Sequence, residues 1–370
     1  MRIGPWRWRG ESCWTAERPG SWASHPSARP DSLLWGGERL AYNGPSSTRR
    51  WTAQAFAMRV PACLGCVHMT IDNDKQDESM TLAGLLAPYA RRAEQDAGRW
   101  LVEPETPPEL GDAMRYCVLG GGKRLRPALV YMTAEAIGPH AKDELTRRSA
   151  VAVELVHCYS LVHDDLPAMD DDTLRRGRPT AHVQFGEAMA ILAGDALLTR
   201  AFGVLAQSDN PAAARLVAEL AAGAGPVGMI AGQVADMNLC DVGRGVEALR
   251  YVHQRKTGAL IRSAARMGAI CGGADASQLS AVSRYAEAMG LAFQVIDDLL
   301  DVVGQAEDIG KTPGKDAQAD KLTYVSDLGI EAARSLAMEL TANALEAIEC
   351  LGTAAEPLRT LAKLLAGRTS

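Results

Sequence analysis

From residue 79 to the C-terminus, apolar residues recur at intervals of three and four. That period suits helices and little else. It runs through 147–166, 186–207, 211–223, 246–271, 277–303 and 329–349. A first helix is expected behind Ser79 as its cap, with Leu82, Leu85, Leu86 and Tyr89 on one face. Alternating runs of strand type are hard to find. Alanine is abundant and favours both helix and close helix packing. Breaks at Gly120-Gly121-Gly122, at Arg176-Gly177-Arg178-Pro179 and from Gly310 to Gly314 mark loops. The fold class expected is an all-α helical bundle.

The period fails toward the N-terminus, and the composition shifts near residue 69. Residues 1–68 hold six of the seven tryptophans, nine arginines, no lysine and four acids, a charge of +5 in a chain of −6. The rest therefore carries −11. Rich in Pro, Gly and Ser, the segment reads as a disordered extension or as sequence upstream of a true start at Met69 or Met80. The expected domain spans 69–370. Its arginines suit a transit peptide, but its acids and tryptophans do not. The eight cysteines are irregularly scattered, which fits a reducing cytoplasm. Cys63 and Cys66 lack the second pair or the histidines that a zinc site needs. The acidic balance gives no reason to expect a nucleic-acid partner. No apolar run of eighteen residues is free of charges, so a membrane span is not expected.

Two acidic motifs interrupt apolar helices. The first, Asp164-Asp165-Leu166-Pro167-Ala168-Met169-Asp170-Asp171-Asp172, ends a helix that starts near Arg148. The second, Asp297-Asp298-Leu299-Leu300-Asp301, lies inside one. There Gln294, Asp297 and Asp301 fall at i, i+3 and i+7 and share a stripe. Either motif alone reads as a solvated charge run. Together, beside apolar cores, they are costly unless paired or bound to a cation. Mg²⁺ takes oxygen ligands and is commonly shared between one or two carboxylates and substrate phosphates. The pair therefore points to a Mg²⁺–diphosphate site.

Such a site also needs protein cations. Lys123, Arg124 and Arg126 follow a Gly-opened turn, and Arg175 and Arg176 follow the first acidic motif. Lys256-Thr257 lies on a helix, and Lys311 and Lys315 flank a Gly-rich loop. Arginine forks suit phosphate oxygens, and lysine acts as a point charge. His157 precedes Asp164 by two helical turns and shares its face.

These residues resemble trans-isoprenyl diphosphate synthases. The likeness is carried by Gly121-Gly122-Lys123-Arg124-Leu125-Arg126-Pro127, His157 through Asp170, Leu174-Arg175-Arg176-Gly177, Lys256-Thr257-Gly258, Gly290-Leu291-Ala292-Phe293-Gln294 and Asp297 through Asp301. It runs from about residue 80 to the C-terminus and is closest to the bacterial farnesyl diphosphate synthases. The resemblance implies an isoprenoid synthase bundle with a central cavity, usually a homodimer, and three Mg²⁺ ions with Mn²⁺ as an alternative. It assigns Asp164 and Asp170 to two ions and Asp297 to a third, with Asp165, Asp298 and Asp301 in support. Arg175, Lys256, Thr257, Gln294 and Lys311 are assigned to the allylic diphosphate. Lys123, Arg126, His157 and Arg176 are assigned to isopentenyl diphosphate, with Lys321 near a closing loop. Two departures stand out. Val325 replaces a proline common in relatives, and the C-terminal end carries only Arg368 where relatives are more basic.

Product length is a packing question. Tyr159 lies five residues before Asp164, about 7 Å along a helix axis. A ring there blocks a chain growing below the diphosphate, and the small Ser160 leaves it as the only floor. In the family, an aromatic at this position with the two-residue insertion in the first motif goes with a fifteen-carbon product. The expected activity is farnesyl diphosphate synthesis. The alternatives are geranylgeranyl or geranyl diphosphate synthesis, a terpene cyclase, and a non-catalytic partner subunit. Both motifs keep all their aspartates, which disfavours the last two.

Overall fold

The computed structural model describes residues 80–139, 143–303 and 323–369. Residues 1–68 with Cys63 and Cys66, the cap expected at Ser79, the Gly310–Gly314 loop, and Lys311, Lys315 and Lys321 lie outside them.

Helices make up nearly all of the described chain: α1 Leu82–Trp100, α2 Pro108–Val118, α3 Leu125–Ile137, α4 Glu144–Asp164, α5 Ala181–Phe185, α6 Glu187–Ala206, α7 Ala213–Ala224, α8 Met229–Asp236, α9 Val246–His253, α10 Ala259–Gly272, α11 Ala276–Val303, α12 Tyr324–Leu328, α13 Ile330–Ala347 and α14 Glu356–Ala366. Helix α1 starts where its periodicity does, with Thr81 as cap: the Gly84 N–H donates to its hydroxyl at 3.1 Å. The expected helix over 246–271 is interrupted. Residues Gln254–Gly258 form a π turn between α9 and α10, a distortion that recurs at functional sites.

Helix α4 packs along α6, α3 against α10, and α11 along α13, while α10 lies between α7 and α11. The interior helices α3 and α10 are apolar on most sides, and Val130, Tyr131, Met132, Leu260, Ala264 and Met267 are fully buried. One buried carboxylate ties three helices together. Asp96 accepts from the Tyr131 hydroxyl at 3.0 Å and from Arg147, bracing α1 against α3 and α4.

Two segments, 187–206 and 213–236, are long and apolar enough to cross a bilayer by length and composition. The first carries Asp195 and Arg200, and its Leu197, Ala201, Val204 and Leu205 are buried in the bundle. The second is broken between α7 and α8 at Gly225. Both therefore read as bundle helices.

The one sheet among the described residues is a hairpin of two-residue strands, β1 Leu174–Arg175 and β2 Arg178–Pro179. Its turn residues Arg176 and Gly177 have φ of 54° and 71°. A two-residue hairpin loop of this hand needs positive φ at both positions.

Candidate active site

The first acidic motif is built by the end of α4. Beyond Asp164 the chain curls back, and the Asp170 N–H donates to the Asp164 carbonyl at 2.8 Å. This brings residues six apart in sequence side by side. Burial pushes the Asp164 carboxyl up to about 6; Lys256 and Arg175 lower it, while Asp170 and Asp165 raise it. Gln233 on α8 donates to Asp164 Oδ1 at 2.8 Å, and its own buried Oε1 has no hydrogen-bond partner among the described residues. Asp165 points elsewhere. Buried, it takes a two-pronged contact from Arg175, 2.6 Å from Nη2 and 2.8 Å from Nε, which ties the hairpin to α4.

The π turn carries Lys256 and Thr257 to the same place. Lys256 Nζ lies 2.5 Å from Asp236 Oδ2 on α8. The Thr257 hydroxyl donates to Gln294 Oε1 on α11 at 2.5 Å. Gly232 makes this approach feasible, because a Cβ there would lie 2.0 Å from the Lys256 nitrogen. Gln294 begins the stripe that continues to Asp297. Contacts thus link Lys256 and Thr257 to α8, whose Gln233 holds Asp164, and to α11, which carries the second motif.

In that motif Asp297 accepts from Arg368 Nη1 at 3.3 Å. Burial raises its carboxyl, while Arg368 and Lys123 lower it and Asp301 raises it. Asp298 accepts from the Tyr324 N–H at 2.8 Å, fixing the start of α12, where Thr323 and Ser326 form a capping box. Asp301 is exposed. Arg368, the single arginine of the C-terminal end, thus reaches the second motif.

The cations divide into two groups. Lys123 faces Asp297 and Arg368. Arg126 is half-buried, and its Nε has no hydrogen-bond partner among the described residues. Burial, then Arg126, Arg176, Arg175 and Arg124, hold His157 well below the ordinary histidine range, so its imidazole is neutral. Arg126, His157 and Arg176 therefore converge. Arg176 donates to the Gly121 carbonyl, and a Cβ on Gly122 would lie 2.7 Å from its guanidinium. Arg124 departs from the expectation of three site cations. Its φ is 51°, which turns it inward to Glu154 at 2.7 Å and Glu94 at 3.2 Å. Its role is to lock α1, α3 and α4 together. Tyr159 is buried and stands against His163.

Sequence reasoning missed Gln233 and Asp236. The signal was present: Gly232-Gln233-Val234-Ala235-Asp236 sets an amide and a carboxylate three apart on an otherwise apolar helix.

Among the described residues, no three Asp, Glu, His or Cys side chains converge to hold an ion unaided. The donors still suit Mg²⁺, which completes its shell with phosphate oxygens and water. The half-buried Asp164, the exposed Asp170 that repels it and the orphaned Gln233 oxygen suit such a partial shell.

Comparison with known proteins agrees with this geometry. Residues 107–356 match the family described as polyprenyl synthetase. The chain is 48% identical over 246 residues to the farnesyl diphosphate synthase of Escherichia coli (strain K12), covering 65% of this chain and 82% of that one. It is 45% identical over 282 residues to geranylgeranyl pyrophosphate synthase 11, chloroplastic, of Arabidopsis thaliana, covering 72% and 76%. A crystal structure of a putative farnesyl-diphosphate synthase from Marinomonas sp. MED121 superposes with a TM-score of 0.66 at 38% identity, covering 78% of this chain and 99% of that one. An FPP/GFPP synthase from Zymomonas mobilis gives 0.67 at 36%, covering 77% and 98%. With a match over most of its length and relatives alike in both sequence and helix course, this chain belongs to the polyprenyl synthetase family.

Proposed function

We propose that the protein is a (2E,6E)-farnesyl diphosphate synthase, condensing isopentenyl diphosphate with dimethylallyl and then geranyl diphosphate. The observation that carries the reading is the alternation of charge around the two motifs: Asp164 influenced by Asp170 and Lys256, Thr257 bonded to Gln294 of α11, and Asp297 influenced by Lys123 and Arg368. Carboxylates in that setting suit a metal-bridged diphosphate rather than each other.

Asp164, Asp170 and Asp297 are the proposed Mg²⁺ holders, with Asp301 in support, while Asp165 and Asp298, expected to support the ions, instead anchor the hairpin and the start of α12. Bound there, Mg²⁺ supplies Lewis acidity and charge neutralisation to a leaving diphosphate. Arg175, Lys256, Thr257, Gln294 and Lys311 hold the allylic diphosphate, and their fixed charges stabilise it as it departs. Lys123, Arg126, Arg176 and neutral His157 hold isopentenyl diphosphate, so its double bond meets the allylic carbon before water does. Asp236 parks the Lys256 ammonium until a diphosphate draws it away. The released diphosphate takes the final proton, which leaves no side-chain base to be found. Tyr159 closes the bottom of the cavity and favours fifteen carbons. The protein is proposed to act in the cytoplasm as a homodimer, to which the exposed Ile191 and Leu192 of α6 lend support.

The test is product chromatography. Purified protein with Mg²⁺, isopentenyl and geranyl diphosphates should yield farnesol after dephosphorylation. A twenty-carbon alcohol would assign geranylgeranyl synthesis instead, the activity named for the Arabidopsis relative. No product from the chain alone would mark a partner subunit.

A further inference from the structure

His163 stands one helical turn beyond Tyr159 on α4. The two rings meet edge to face, with centroids 5.7 Å apart and planes at 84°. On its other side the imidazole is keyed into α6. Its Nε2 lies 3.1 Å from the Ile191 carbonyl oxygen and 3.9 Å from Asp195 Oδ1. To bond that carbonyl, Nε2 must carry the proton. The ring fits there only because residue 194 is glycine. A Cβ at that position would lie 2.1 Å from Nε2 and 2.5 Å from Cδ2 of His163.

A tyrosine ring on a helix can swing about two side-chain torsions, so burial alone does not fix its pose. An edge-on neighbour that is itself held adds a directional contact. We infer that His163 and Gly194 are positioning residues for product length: Gly194 opens a slot in α6, His163 is held in it, and the held imidazole keeps Tyr159 in the pose that stops the growing chain. The inference rests on the reading of Tyr159 as the floor. Without the imidazole, Tyr159 can lean into the space it leaves, and the cavity deepens.

The test compares Tyr159→Ala, His163→Ala and Gly194→Ala, assayed as the full chain with Mg²⁺, isopentenyl diphosphate and each allylic diphosphate in turn. His163→Ala removes atoms and adds none. Gly194→Ala evicts the imidazole from the opposite helix without changing any residue of α4. Both should raise the ratio of twenty- to fifteen-carbon product by about tenfold or more, the scale on which one packing contact separates homologous substrates. A mere disturbance of neighbouring Asp164 would instead lower turnover alike for every allylic substrate and leave that ratio unchanged. If Tyr159→Ala lengthens the product while either other variant stays at fifteen carbons, the inference is overturned. If Tyr159→Ala also stops at fifteen, the floor reading itself fails and takes the inference with it. Should Gly194→Ala not fold, His163→Ala alone decides.

Discussion

The two acidic motifs share a pattern of aspartates but are built differently. The first ends a helix and depends on a backbone curl to bring Asp170 beside Asp164. The second lies within the continuous helix α11, where spacing alone sets Asp297 and Asp301 on one stripe. Their middle residues nonetheless do the same job. Asp165 is taken up by Arg175 of the hairpin, and Asp298 by the backbone N–H that starts α12. In each motif the outer aspartate faces the site and its neighbour anchors the segment that follows. A run of aspartates is therefore not a uniform set of ligands.

Substitution should separate these roles. Asp164→Asn and Asp297→Asn are expected to lower kcat about 10²–10³-fold or more, as loss of preorganised charge does, with steady-state kinetics as the check. Asp165→Ala leaves the buried side of Arg175 without its partner and should cost about 3 kcal/mol of stability, read by urea unfolding. Asp298→Ala loses one partly buried hydrogen bond and should cost about 1 kcal/mol. Equal activity losses with unchanged stability at all four positions would break the comparison.

A subtler effect follows from Asp164. Its carboxyl, held up to about 6 by burial, titrates near 4 in an unfolded chain. Folding thus favours the protonated form, and stability falls as pH rises through that window. At pH 7, Asp164→Asn should raise the melting temperature of ligand-free protein by a few degrees while removing activity. Activity of the unaltered protein should decline as pH falls through about 6. The smallest effect belongs to Arg368, whose pair with Asp297 is partly exposed and so is weak. Arg368→Gln should lower the Mg²⁺ concentration for half-maximal rate by about twofold, by removing a competing cation.

How far the sequence went depends on the kind of signal. Long apolar stripes such as 277–303 were legible because helix period and burial coincide, and α11 runs Ala276–Val303. The π turn at Gln254–Gly258 was not, since a local change of hydrogen-bond register leaves the hydrophobic period nearly intact. Short α2 and α8 escaped notice because eight to eleven residues hold too few turns to show a period. In the site, the acidic motifs were plain in the sequence, but the direction of each basic side chain was not. Lys123, Arg124 and Arg126 look alike until the left-handed backbone at Arg124 sends that one inward. Gln233 and Asp236 were legible in principle, as polar residues on an apolar helix.

The central claim is that Asp164 and Asp297 act on one shared diphosphate. Calorimetric titration of inorganic diphosphate with Mg²⁺ into the unaltered protein, Asp164→Asn, Asp297→Asn and the double variant tests it most directly. The account predicts strong coupling, with the double variant binding little worse than either single one. Losses that simply add would mean two independent sites and would contradict it.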